Sequence, residues 1–211
     1  WIRLHYAYPS QFPLDALDVM AERSNICNYL DIPLQHITDN MLKTMRRGIT
    51  KKRTMELIDS IREKVPGIAL RTTMLIGHPG ETRAEFNELM KFVRDYRFDR
   101  LGVFTYSHED NTHAFTLEDD IPAEEKEERA DELMNLQQEI SLEKNQEKIG
   151  QTVKVLFDKI EGEYFVGRTE ADSPEVDNEV LVNAKDNFVR IGDFANVTIT
   201  DARDFDLFGT I

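Results

Sequence analysis

The chain has 211 residues, 40% of them hydrophobic, which is enough for one domain of ordinary size with a smaller one beside it, so a disordered chain is excluded. Its 26 basic residues stand against 40 acidic ones, a formal net charge of −14 that repels phosphate backbones and attracts cationic partners, although acidity serving only solubility reads the same way. The single cysteine, Cys27, excludes an internal disulfide framework and an iron-sulfur cluster held by three or four thiolates of these residues.

No apolar run approaches the roughly 18 residues of a membrane-spanning helix. WIRLHYAYPS at the start has no initiator methionine and no basic region followed by an apolar core, so the chain reads as the interior of a longer protein of the reducing cytoplasm. Four strand-length apolar runs follow in the first half: residues 2–8, 28–34, 68–77 and 100–107. Between them lie helical patterns. Pro13 opens one that runs to about Ser24, with Leu14, Leu17 and either Val19 or Met20 on its apolar side. Asp39 is placed to cap a short helix with Met41, Leu42 and Met45, and a third helix is expected from Lys51 to Lys64. Thr82 with Glu85 three residues on forms a capping box ahead of Phe86, Leu89, Met90 and Val93.

This alternation is that of parallel βαβ units. Strand centres spaced by roughly 30 to 40 residues suit about half of an eight-unit barrel, with an open doubly wound sheet as the alternative. Residues 122–148 contain no glycine or internal proline and read as one long helix of roughly 40 Å, packed on one side. After Gly150 the pattern changes to five short alternating segments, TVKVLFDKI, YFVGRTE, EVLVN, NFVRIGD and ANVTITDARDFDLFGTI, which suggest a small closed β-barrel of the OB type. The expected division is 1–147 and 148–211.

GHPG at 77–80 lacks the Gly-Lys-Ser/Thr of a phosphate loop and the glycine spacing of dinucleotide sites. It is either a bare βα turn, with Gly77 and Gly80 for unusual dihedrals and Pro79 for stiffness, or a turn at the end of the barrel where ligands bind. LDIPLQH, at 30–36, ends the preceding strand and sets Asp31, Gln35 and His36 on the same rim, Gln35 able to donate to and accept from a hydroxyl pair. Arg71 lies in or just before a buried strand, where a guanidinium needs a carboxylate, either Asp31 or one belonging to a ligand. The acidic loop VGRTEADSPEVDNEV, at 166–180, carries Asp172, Glu175 and Asp177, and from Lys148 onward seven basic residues face thirteen acidic ones. That sign favours a basic protein over RNA as partner.

HYAYPS, YLDIPLQH, MRRG, RTTMLIGHPGET, FDRLGVFTYSHEDNT, LQQEISLEKNQEKIGQTVKVL and VGRTEADSPEVDNEV, in this order, closely resemble the C-terminal part of the radical S-adenosylmethionine methylthiotransferases. PLQH and ADSPEVD are similar to the branch that modifies an aspartate of small-subunit ribosomal protein twelve; the alternatives are the tRNA-modifying branch and a generic RNA-binding TRAM module. The resemblance implies an α/β fold, a partial parallel (βα)6 barrel of radical SAM type without its first strands, followed by a small all-β TRAM barrel. It implies S-adenosylmethionine and two 4Fe-4S clusters, neither ligated by this chain, whose single cysteine cannot supply the family's CxxxCxxC. A fragment inactive by itself, with exposed sheet edges and a missing N-terminal region of the same protein as its complement, is the expectation. Gly77, His78, Pro79 and Gly80 match the family segment that passes along the adenine. Gln35 is the candidate ribose contact and Arg71 the candidate for the methionyl carboxylate. His36, Asp172, Glu175 and Asp177 are candidates for substrate contacts, and no catalytic or metal-ligating residue is assigned.

Overall fold

A computed structural model describes residues 1–211. Four parallel strands, β1 (Ile2–Leu4), β2 (Ile26–Asp31), β3 (Ala69–Ile76) and β4 (Arg100–Thr105), lie in sequence order in one sheet. Helices α1 (Asp15–Glu22), α2 (Asp39–Thr44), α3 (Lys51–Lys64), α4 (Arg83–Tyr96) and α5 (Ala123–Gln146) connect them and lead out of them. Leu70, Thr72, Met74 and Ile76 are buried, while Arg71, Thr73 and Leu75 between them are half-buried. The period of two divides β3 between a helix-covered face and an open concave one.

The main core joins Leu17 and Met20 of α1, Ile58 and Ile61 of α3, Phe86, Leu89 and Val93 of α4, and Leu133, Leu136 and Ile140 of α5 to that covered face. Val19 is exposed, which leaves Met20 as the apolar residue of α1's second turn. Thr38, not Asp39, caps α2: its hydroxyl accepts from the Met41 N–H, and Asp39 becomes the first helical residue. β1 stops at Leu4, because Tyr6 has a φ of +58° that no strand accommodates. The Thr82–Glu85 capping box is present with both of its hydrogen bonds.

Five more strands, β5 (Thr152–Glu161), β6 (Tyr164–Arg168), β7 (Glu179–Asn183), β8 (Phe194–Ala202) and β9 (Asp206–Thr210), close into a barrel in the order β5-β6-β7-β9-β8. Five strands are present, but not all where the alternation puts them. NFVRIGD is a connection with Phe188 turned outward, and the last segment folds into two strands, broken where the Arg203 N–H donates to the Asp206 carbonyl. A separate apolar core of Val155, Phe157, Val180, Val182, Val197, Ile199 and Leu207 fills this barrel. No helix is long and apolar enough to cross a membrane.

Candidate functional site

The C-terminal ends of β2, β3 and β4 converge on a cavity of about 490 Å³, lined among others by Gln35, Arg46, Leu75, His78, Tyr106 and His113. Pro33 ends β2 as a regular strand, yet the chain stays in register beside β3: the Gln35 N–H donates to the Thr73 carbonyl and the Leu75 N–H to the Gln35 carbonyl, both at 2.9 Å. Gln35 has a φ of +73°, a left-handed conformation held by those two bonds.

The turn after β3 is fixed from below. Gly77 has a φ of +72°, and a Cβ there would overlap the side-chain stem of Lys126. The Gly77 N–H donates to the Glu81 carboxylate, the Glu81 N–H to the His78 carbonyl at 2.9 Å, and the Gly80 N–H to Asp120 at 2.8 Å. Glu81 is buried between His36 and Arg129: Arg129 Nη1 lies 3.6 Å from Glu81 Oε2 and donates to the Glu81 carbonyl at 2.8 Å, while His36 Nε2 lies 3.6 Å from Oε1. His36 Nδ1 accepts from the Thr38 N–H at 3.1 Å, which leaves Nε2 to face Glu81. Glu81 is a residue to which the sequence alone assigns no role. A carboxylate one residue past a glycine turn was the only signal available.

His78 is buried against the Tyr106 ring, centroids 5.3 Å apart, and its Nδ1 lies 3.2 Å from the Pro79 carbonyl, an arrangement that leaves Nε2 as an acceptor. Desolvation by burial lowers its pKa and keeps it neutral at physiological pH. Pro79 and Gly80 face the other way, onto a separate cavity of about 310 Å³ beside Leu117 and Asp120. His36 is wholly buried beneath the turn. Thus Gln35 and His78 share one cavity, Gly77 and His36 support it, and Pro79 and Gly80 line its neighbour.

The other named residues lie elsewhere. Arg71 pairs in register with Arg100, the first residue of β4, five positions before Ile76 pairs with Thr105, so roughly 16 Å of strand separates Arg71 from the rim. It is bound by carboxylates of this chain: Arg71 Nη1 is 3.3 Å from Asp31 and Nε is 3.3 Å from Asp177. The guanidinium expected at the methionyl carboxylate is thus engaged by Asp31 and Asp177. Asp172 is buried, accepts a 3.0 Å bond from Arg100 Nε and a further one from Nη2, and takes the Thr169 hydroxyl. Burial pushes its pKa up, but the Arg100 guanidinium outweighs that and holds it below the usual value. Tyr29 donates to Asp177 at 2.8 Å, and burial together with that carboxylate raises the tyrosine's pKa. Asp172 and Asp177 therefore join the barrels to each other; Glu175, at the loop tip, is exposed.

A second, larger groove of about 1170 Å³ runs past Pro9, Lys43, Arg46, Gly48, Arg53 and Glu56, between the turn after β1 and helices α2 and α3. The rim cavity has the placement at the C-terminal ends of parallel strands where such folds do their chemistry.

Residues 1–93 match the Radical SAM superfamily model, and residues 149–211 match the TRAM domain model. The chain is 68% identical over 211 residues to a protein of Cytophaga hutchinsonii named ribosomal protein uS12 methylthiotransferase RimO, covering 100% of this chain and 48% of that protein. Proteins of the same name from Christiangramia forsetii and Bacteroides fragilis are 56% and 57% identical, with 99% and 100% of this chain and 46% and 49% of theirs covered. Among solved structures, coproporphyrinogen III oxidase from Escherichia coli, titled a radical SAM enzyme, superposes with a TM-score of 0.55 at 21% identity, over 66% of this chain and 32% of that one, a likeness of fold alone. The chain spans about half the length of the curated relatives it matches, and over the whole of its own length it is similar to proteins named ribosomal protein uS12 methylthiotransferase RimO.

Proposed function

We propose that these residues form the cofactor-binding rim and the TRAM unit of an enzyme that adds a methylthio group to an aspartate β-carbon of the small-subunit ribosomal protein uS12. Identity of 68% along the whole chain to a protein so named carries the reading. The division at 147/148, between the half barrel with its long helix and the small barrel, belongs to the same reading, as does a cytoplasmic location.

The rim fits the nucleoside end of S-adenosylmethionine. Leu75, Tyr106 and His78 supply apolar and aromatic faces, the Gln35 amide offers donor and acceptor to a ribose, and His78 Nε2 offers an acceptor near the base. Gly77 lets the backbone turn beside them. The residues do not fit a 4Fe-4S cluster: Cys27 is buried beside Tyr29, its thiol pKa raised by desolvation, and no group of three or more His, Cys, Asp or Glu residues is placed to hold a metal. The cofactor, when bound, supplies the radical and methyl chemistry. These residues bind it, orient it and exclude water from its base.

The test is mass spectrometry of uS12 in a strain lacking the full-length enzyme, complemented with the intact gene or a Gln35→Ala variant. The modified aspartate is expected with the first and diminished with the second. Methylthiolated tRNA with unmodified uS12 would overturn the substrate in favour of an RNA. This chain purified alone is expected to release no 5′-deoxyadenosine from S-adenosylmethionine under reducing conditions, and detected release would refute its dependence on other residues for the cluster.

A further inference from the structure

We infer that Arg46 is the carboxylate-binding residue of the rim cavity, an assignment that rests on the reading above. Helix α2 ends in a Schellman turn: the Arg46 N–H donates to the Lys43 carbonyl at 3.0 Å and the Arg47 N–H to the Leu42 carbonyl at 2.8 Å. This puts Arg46 at the left-handed position, φ +56°, that helices ordinarily give to glycine. A glycine stands two residues later, Gly48 at φ +67°, where the sequence does use that residue for a left-handed turn. The side chain at position 46 is therefore kept against backbone preference. Of the other non-glycine residues with positive φ, Gln35 lines the same cavity, whereas Tyr6, Arg97, Asn111 and Glu175 do not. Backbone strain of this kind collects where side chains are positioned for ligands.

The cations beside the rim turn are engaged within the protein. Lys126 is held by Asp119 and the Tyr106 ring, and Arg129 by Glu125 and Glu81. Arg47, the other cation lining the cavity, donates to the Pro33 carbonyl at 2.6 Å and stacks on Tyr8. Arg46 has no carboxylate within ion-pair distance; its one recorded partner is His113 Nδ1 at 3.0 Å, across the cavity. Arg46 is exposed and borders the larger groove as well, and beyond its contact with His113 its remaining N–H groups are available to a carboxylate at the cavity wall. Two ligands of the proposed reaction carry one: S-adenosylmethionine on its methionyl end, and the target aspartate.

The full-length, cluster-reconstituted enzyme is compared with its Arg46→Gly, Arg46→Gln and Arg46→Lys variants by calorimetric titration and thermal melting. Probes are S-adenosylmethionine, carboxylate-free methylthioadenosine, and a uS12 peptide with its target aspartate or with asparagine instead. Arg46→Gly and Arg46→Gln should weaken a carboxylate-bearing ligand about tenfold or more and leave methylthioadenosine unchanged, while Arg46→Lys, which keeps the charge without the planar donors, should fall between them and the wild type. The thermal midpoint of Arg46→Gly should equal or exceed that of the wild type. A loss confined to S-adenosylmethionine makes the cofactor the source of the carboxylate, and one confined to the aspartate peptide makes it the substrate. Unchanged affinities, equal losses for methylthioadenosine, an affinity for Arg46→Lys no better than that for Arg46→Gln, or a lowered midpoint for Arg46→Gly would each overturn the assignment. Failure of the wild-type enzyme to bind S-adenosylmethionine would instead overturn the proposed function.

Discussion

Glu81 holds the rim turn from inside the protein. Its carboxylate takes the Gly77 N–H and lies beside Arg129 and His36, all of them buried. Removing it leaves the guanidinium without one of its two acidic neighbours and the Gly77 N–H without an acceptor. Glu81→Ala is predicted to cost about 3 kcal/mol, read as a shift in urea midpoint. Gly77→Ala is predicted to cost about 2 kcal/mol or more, because the residue must stay left-handed and its Cβ meets the stem of a lysine whose amine is anchored on Asp119. In the full-length enzyme the same change should lower affinity for S-adenosylmethionine; retained affinity would remove the turn from the site. Such residues were half-legible in the sequence. GHPG announced a left-handed turn, but nothing in the spacing said that the next residue would be its internal acceptor, since Arg129 and His36 arrive from distant elements.

At the scale of elements, local rules did well wherever the residues themselves satisfy the helix ends. Thr82 caps α4 as its spacing from Glu85 requires, and Glu85 also takes the Asn40 amide at 2.8 Å, tying α2 to α4. Burial opposes the charge on Glu85, yet the Thr82 N–H and the Asn40 amide hold its pKa below the usual carboxylate value. Thr82→Ala should destabilise by about 1 kcal/mol in equilibrium unfolding. The long helix α5 is less regular than its composition suggests. Besides Leu133, Leu136 and Ile140 it buries Lys126, Arg129, Gln137, Ser141 and Asn145. Each meets a group outside the helix: Gln137 donates to the Phe98 carbonyl at 3.0 Å, and Asn145 to the Arg203 carbonyl at 2.9 Å. A periodicity argument marks these positions as solvated, because it counts polarity and has no knowledge of partners.

Across the whole molecule, the loop between β6 and β7 ties the small barrel to the N-terminal end of the parallel sheet. Asp172 reaches Arg100, Asp177 reaches Arg71 and Tyr29, and Arg3 donates to the Glu170 carbonyl at 3.1 Å. On the other side α5 grips the turn before β9, where the Ser141 hydroxyl donates to the Asp204 carbonyl at 2.5 Å. Asp172→Asn breaks a buried ion pair and should cost about 3 kcal/mol at neutral pH. The sign of its pH dependence follows from the depressed native pKa. The carboxylate stabilises above its unfolded value of 3.8 and loses that contribution as acid carries the pH down through the lower native value. The gap between wild type and Asp172→Asn in urea midpoint should therefore be constant from about pH 5 to 7 and narrow below about pH 4. A gap independent of pH would show that the charge on Asp172 is not what joins the barrels.

By itself the sequence determined what is local: βαβ alternation, the capping box, the left-handed glycine turn, the change to short strands after Gly150, and the family motifs. Each depends on residues close along the chain, where backbone sterics and hydrogen bonding reach only a few positions. Tertiary structure decided which charges are used internally. Arg71 and the ADSPEVD carboxylates look alike as free binding groups in a linear reading, yet they lie about 100 residues apart and meet in the fold, while Arg46, in an unassuming helix end, is left facing the cavity. Pairing of buried charges depends on distance in space and on removal from water, and neither quantity is written in the order of residues.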